Sequence, residues 1–147
     1  IVIHTLYNPN ASGDLSITRA KEVLDEAAVS SHYVIARDGK VYQLVPEQYQ
    51  AWHAGESTMP DPDGRTGVNP FSLGIELIAT ETSGITRAQY DALTALVVDI
   101  SGRIPIKHVL GHSDIAPKRK TDPWKFDWKT WQKSLTAQTA HEFTFYH

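Results

Sequence analysis

The chain is predicted to be α/β, a single domain with a central mixed β-sheet flanked by helices. Three observations predict this. Short β-branched or apolar runs at 1–5, 32–37, 40–45, 72–79 and 107–110 read as strands. Segments with apolar residues at helical spacing follow Ser16 and Thr86 and lie between those runs. Strands and helices intermixed in this way favour layers packed on one core, and 147 residues are enough to bury roughly 68–70% of the unfolded surface.

In chain order, residues 1–5 form the first strand, with His4 near its C-terminal end. Side chains at strand ends often line sites, and a hydrogen-bonded core histidine is the alternative. Residues 7–13 read as loop. Ser16 can cap a helix running to about Val29, with Ile17, Ala20, Leu24, Ala27 and Ala28 on its apolar face. Residues 32–37 and 40–45 pair as a hairpin around Asp38-Gly39, a two-residue turn signal. His32 is expected to pack inside.

Ala51-Trp52-His53-Ala54-Gly55 follows. Trp52 can offer a flat face for stacking on a sugar or peptide, or it can plug the core with His53 hydrogen-bonded beside it. Residues 56–70, rich in Gly, Pro and Asp, lack periodicity. Loops of that length are usually functional or mobile, and this one could wall a groove.

Residues 72–79 are a strand, apolar apart from Ser72 and Glu76. The apolar neighbours suggest a central strand, where a lone carboxylate is costly unless paired or facing a polar cavity. Glu76 is therefore a functional candidate, with exposure on an edge strand as the bland alternative. Thr86 and Gln89 make a capping box, and Tyr90, Leu93, Val97 and Ile100 form the buried stripe of a helix ending near Gly102. A short strand at 107–110 leads into the loop 111–123, which contains His112, Lys120 and Asp122. Imidazole and carboxylate are zinc-ligand chemistry, and a catalytic zinc keeps a position open for water. His108 and His112 would share a helix face, but Pro105 and Gly111 argue against a helix there. Phe126 and Trp131 flank a last helix capped by Asp127 and running from Trp128 to Ala137. The tail from about 138 is expected to be peripheral, and His141 and His147 receive no role.

Composition narrows the function. A hydrophobic fraction of 41% and a charged fraction of 21% suit a globular domain. The net charge of −3 argues against nucleic acid as a partner. The absence of Cys excludes disulfides, thiolate nucleophiles and thiolate metal ligands. The most apolar stretch, 93–100, is too short to span a bilayer. The chain opens on Ile1 without an initiator Met, so a processed or trimmed chain is expected.

Taken together, Ile3-His4, Arg37-Asp38-Gly39, residues 51–55, residues 72–77 and Gly111-His112-Ser113-Asp114-Ile115-Ala116-Pro117 with Lys120-Thr121-Asp122-Pro123 carry a resemblance. From His4 to about Trp131 the chain resembles the zinc-dependent N-acetylmuramoyl-L-alanine amidases of the type 2 family. These are related to the peptidoglycan recognition proteins and the amidase-type phage lysozymes. The resemblance implies a peptidoglycan-recognition-protein-like fold and a Zn2+ cofactor held by His4, His112 and Asp122. It makes Glu76 and Lys120 catalytic. Several relatives have Cys where this chain has Asp122. Some use a catalytic Tyr where this chain has Ser31, so that role falls to Glu76. Trp124 stands where the bacterial enzymes often have Gly, which alters the groove wall and leaves the metal site alone.

The implied reaction is hydrolysis of the amide between N-acetylmuramic acid and L-alanine, with peptidoglycan or a muropeptide as partner. Trp52, His53, Asn69 and Arg119 are the candidate substrate contacts. A non-catalytic peptidoglycan-binding module and a zinc endopeptidase acting on stem peptides are the rival readings. The expected setting is periplasmic, wall-associated or secreted, with the cytoplasm also open, and a monomer is expected.

Overall fold

The computed structural model describes residues 1–6 and 13–147, so the loop expected at 7–13 lies, apart from Gly13, outside the described residues. Five strands form one mixed sheet in the order β3-β2-β4-β1-β5: β1 (Val2–Leu6), β2 (Tyr33–Ile35), β3 (Val41–Gln43), β4 (Gly74–Ile78) and β5 (Leu110–Gly111). β2, β4, β1 and β5 run parallel, and only the hairpin partner β3 is antiparallel. β4 lies at the centre and is buried throughout, as its apolar run requires.

Alternation along the strands divides the side chains between two faces. On one face Val34 and Ile78 pack against Ala20 and Leu24 of α1 (Ile17–Glu26). On the other, Ile3, Ile35, Ile75 and Leu77 form the main core with Leu93, Val97 and Ile100 of α2 (Arg87–Arg103) and Trp131 and Leu135 of α4 (Trp128–Gln138). The caps are those the sequence indicates. Ser16, Thr86 and Asp127 accept from the backbone N–H groups of Arg19, Gln89 and Thr130, and Gln89 completes the box at Thr86.

Four details differ from the sequence reading. α1 stops at Glu26 instead of Val29. Ala28 turns to φ 52°, and the N–H groups of Ala28 and Val29 close back on the carbonyls of Asp25 and Leu24, each at 3.1 Å. The hairpin turn is centred on Arg37-Asp38, one residue earlier than expected. Gly39 follows at φ 88°, its N–H donating to the Ala36 carbonyl at 2.9 Å. The loop 111–123 opens with a single helical turn, α3 (His112–Ile115), in which the Asp114 carboxylate accepts from Gly111 N–H at 2.6 Å. The C-terminal tail is docked: Phe143 and Phe145 pack on the core, Thr144 bridges to His108, and His147 stacks on Trp128 at 4.3 Å.

Candidate metal centre and cleft

The site grows out of the register of β1 and β4. His4 is paired with Glu76, and in a parallel ladder paired residues project to the same face. That face is the one α1 covers only in part. The segment after β5 comes back over it. His112 is the first residue of α3, and Ser113 N–H donates to the Asp122 carbonyl at 2.9 Å, which ties the two ends of the loop together.

His4, His112 and Asp122 therefore meet, all three buried, with one potential ligand atom from each within 4.8 Å of the others. The two Nδ1 atoms are 2.9 Å apart, and the Asp122 carboxylate lies 3.2 Å from that of His112 and 3.5 Å from that of His4. Three ligands of a tetrahedral zinc at roughly 2.0–2.2 Å stand about 3.3 Å from one another, so the donor set fits a zinc ion in kind and in spacing. Burial lowers the His4 pKa to about 4, which keeps the ring neutral as a ligand must be. Burial alone would raise the Asp122 carboxyl, but its contacts with His112 and His4 outweigh that and hold it well below the usual range. Among the described residues this is the one cluster of three such groups.

Glu76 lies beside it, Oε1 3.9 Å from His4 Nδ1 and the residue 7% exposed. Its Oε2 is buried without a hydrogen-bond partner among the described residues. Burial, then the charge of Asp122, pushes its pKa well above the ordinary value, against the pull of Lys120. Such a carboxylate is poised to accept a proton.

These groups open into a cleft of about 550 Å³, bordered by Leu6, Val29, Trp52, Lys120 and Trp124. Its size suits a small ligand. Trp52 is 62% exposed on the rim, so it does not plug the core. Its backbone is fixed by Ser30, whose hydroxyl accepts from Trp52 N–H at 2.8 Å. Lys120 is exposed at the cleft edge. Ser31, at the position some relatives fill with Tyr, is buried and donates to the Gly74 carbonyl at 2.8 Å.

The other expected contacts border the cleft but have work inside the protein. Asn69 Oδ1 accepts from the N–H groups of His53 (3.1 Å) and Ala54 (2.8 Å), buried donors that need an acceptor. Arg119 Nη2 donates to the carbonyls of Ala54 (3.0 Å) and Glu56 (2.7 Å) and so braces the same loop. His53 is buried with both ring nitrogens engaged, Nδ1 3.0 Å from His4 Nε2 and Nε2 2.9 Å from Ser72 Oγ. Besides lining the cleft, its ring backs a candidate metal ligand. Ser72 was missed as a site residue. Its signal was a polar position four residues before Glu76 at the head of an apolar strand.

The family profile described as N-acetylmuramoyl-L-alanine amidase matches residues 1–125. The 1,6-anhydro-N-acetylmuramyl-L-alanine amidase AmpD of Enterobacter cloacae is 46% identical over 120 residues, which are 80% of this chain and 63% of that protein. The N-acetylmuramoyl-L-alanine amidase AmiD of Escherichia coli K12 is 41% identical over 125 residues, 72% of this chain and 44% of the relative. The chain thus spans less than two thirds of the length of these relatives. A solved complex of E. coli AmiD with the substrate anhydro-N-acetylmuramic acid-L-Ala-D-γ-Glu-L-Lys superposes with a TM-score of 0.76 at 34% identity, covering 90% of this chain and 55% of that one.

Proposed function

The chain belongs to the N-acetylmuramoyl-L-alanine amidase family, and from that premise we propose that it hydrolyses the amide joining N-acetylmuramic acid to L-alanine in peptidoglycan or its fragments, with zinc held by His4, His112 and Asp122. The single observation that carries this reading is the meeting of two imidazoles and a carboxylate at zinc-ligand spacing, with a buried carboxylate in register beside them. A zinc ion in that place supplies a Lewis acid and makes a nucleophile of water near neutral pH.

The chain's own groups do the rest. The Glu76 carboxylate takes the proton of the attacking water and returns it to the departing L-alanine amine. Lys120, on the cleft edge, offers its ammonium to the oxygen that gains charge as the amide carbon becomes tetrahedral. Asp122 balances charge and stays ionised. Trp52 offers an aromatic face to the sugar or the stem peptide. No helix among the described residues is long and apolar enough to cross a membrane.

Two relatives of this chain bear on which substrate to test, one named for 1,6-anhydro-N-acetylmuramyl-L-alanine and one solved with an anhydromuropeptide. Incubation of an anhydromuropeptide should release free stem peptide with an L-alanine amino terminus. Treatment with a strong chelator should abolish that release, and zinc should restore it. Full turnover in a demonstrably metal-free sample would overturn the mechanism, and new amino termini inside the stem peptide would turn the reading towards an endopeptidase.

Trp52 gives a second test. Because its ring is on the rim, Trp52→Ala should raise KM by about 2- to 12-fold, the worth of roughly 0.5–1.5 kcal/mol for an aromatic contact. Stability should fall by much less than the about 3–5 kcal/mol lost when a buried aromatic is truncated. A collapse of Tm with KM unchanged would contradict the assignment.

A further inference from the structure

Ser72, His53 and His4 are joined in a line that leads from a backbone carbonyl to the metal centre, and one assignment of protons makes all of its hydrogen bonds at once. The Ser72 hydroxyl carries one proton and donates it to the Val68 carbonyl at 2.8 Å, an acceptor that cannot donate in return. Ser72 Oγ can then only accept from His53 Nε2, 2.9 Å away, so the His53 proton sits on Nε2. His53 Nδ1 is left bare and accepts from His4 Nε2 at 3.0 Å. The proton of His4 is thereby placed on Nε2, and its Nδ1 lone pair faces His112 Nδ1 at 2.9 Å and Asp122 at 3.5 Å, a crowding of lone pairs that a shared cation would relieve. His112 is set the same way by a shorter route, since its Nε2 can only donate to the Ala54 carbonyl at 3.1 Å.

We propose that Ser72 and His53 are positioning residues, a hydrogen-bond relay from the Val68 carbonyl that fixes the tautomer of His4 and so presents its bare Nδ1 for ligation; this rests on the reading of the cluster as a metal centre. The backbone around the relay is built for it. A Cβ on Gly74 would stand 2.4 Å from Cγ of the His53 ring, so Gly at this place in β4 is what lets the ring lie against the strand. Asn69 holds the backbone of His53 and Ala54 by accepting from both of their N–H groups. The relay also accounts for two sequence features that the chemistry leaves unexplained, the His after Trp52 and the Ser two residues before Gly74.

Without the relay, His4 is free to move its proton to Nδ1 and donate it to Asp122, a form that cannot ligate. Partners of this kind are worth about 10–100-fold in metal affinity. The test has two arms. In metal-free wild-type protein, nitrogen-resolved NMR of the imidazoles should find His4 and His53 both protonated on Nε2 and bare on Nδ1. In competition with a chelator, Ser72→Ala should bind zinc about 10–100-fold more weakly, with its His4 tautomers redistributed, while Ser72→Thr should stay near wild type. His4 protonated on Nδ1 in the wild type would overturn the relay, and so would Ser72→Ala with wild-type tautomers and zinc affinity. The NMR arm needs no metal. A chain that bound no zinc at all would therefore defeat the metal reading while the tautomers still decided the relay.

Discussion

Glu76→Gln is expected to lower turnover by about 10²–10⁴-fold and to leave zinc content unchanged. The substitution keeps the shape of the side chain and removes its basicity. Glu76 is buried, one of its oxygens has no hydrogen-bond partner among the described residues, and its proton affinity is raised by burial and by Asp122. Those are the conditions under which a carboxylate serves as a base. They are also conditions in which a charge is costly, so the Tm of the metal-free variant is expected not to fall. The measurements are zinc per chain, turnover on an anhydromuropeptide, and thermal melting. A variant that arrived without zinc would make Glu76 a ligand or an anchor of one, and near-normal turnover would move the base elsewhere.

Asp122→Ala should behave differently, losing zinc and activity together. Its carboxylate is the only anionic member of the cluster and also accepts from Thr5 N–H at 3.3 Å. The fold should survive, because the loop is still held by Ser113 N–H on the carbonyl of residue 122 and by the core residues Ile115 and Phe126. Asp122→Cys is the informative control. A thiolate is a competent zinc ligand at roughly 2.3 Å, so this variant should retain zinc that the alanine variant loses. Zinc retained in full by Asp122→Ala would remove Asp122 from the ligand set.

The sheet was legible because its strands are short, apolar and separated by recognisable caps. β4 announced itself as central through Ile75, Leu77 and Ile78 on both sides of a single carboxylate. The meeting of His4, His112 and Asp122 could not be read from local pattern. Those residues come from a strand, a helical turn and a loop, and only the resemblance grouped them before the geometry was known. α3 escaped because four residues make barely one turn and show no period. The docked tail escaped for a different reason: Phe143 and Phe145 alternate around Thr144 as strand residues would, but so short a run at a terminus reads equally as loop. His53 and Asn69 were placed at the cleft, and the structure adds partners inside the protein that the sequence does not reveal. Sequence shows that a polar side chain is near a site but not which buried backbone donor or ring nitrogen will claim it.

The separation of His4 from His112 by 108 positions has a consequence for how the chain closes on itself. A cation shared between them is a crosslink across 108 of the chain's 147 positions. Bringing chain segments so far apart into contact costs on the order of 4 kcal/mol of loop entropy before the link itself returns anything. Metal capture should therefore come late in folding, after β1 and β5 have paired. Fragments lacking either the segment that carries His4 or the segment that carries His112 and Asp122 should hold no zinc at this site, whatever their helix content, which makes zinc uptake during refolding a clock for long-range closure of the chain.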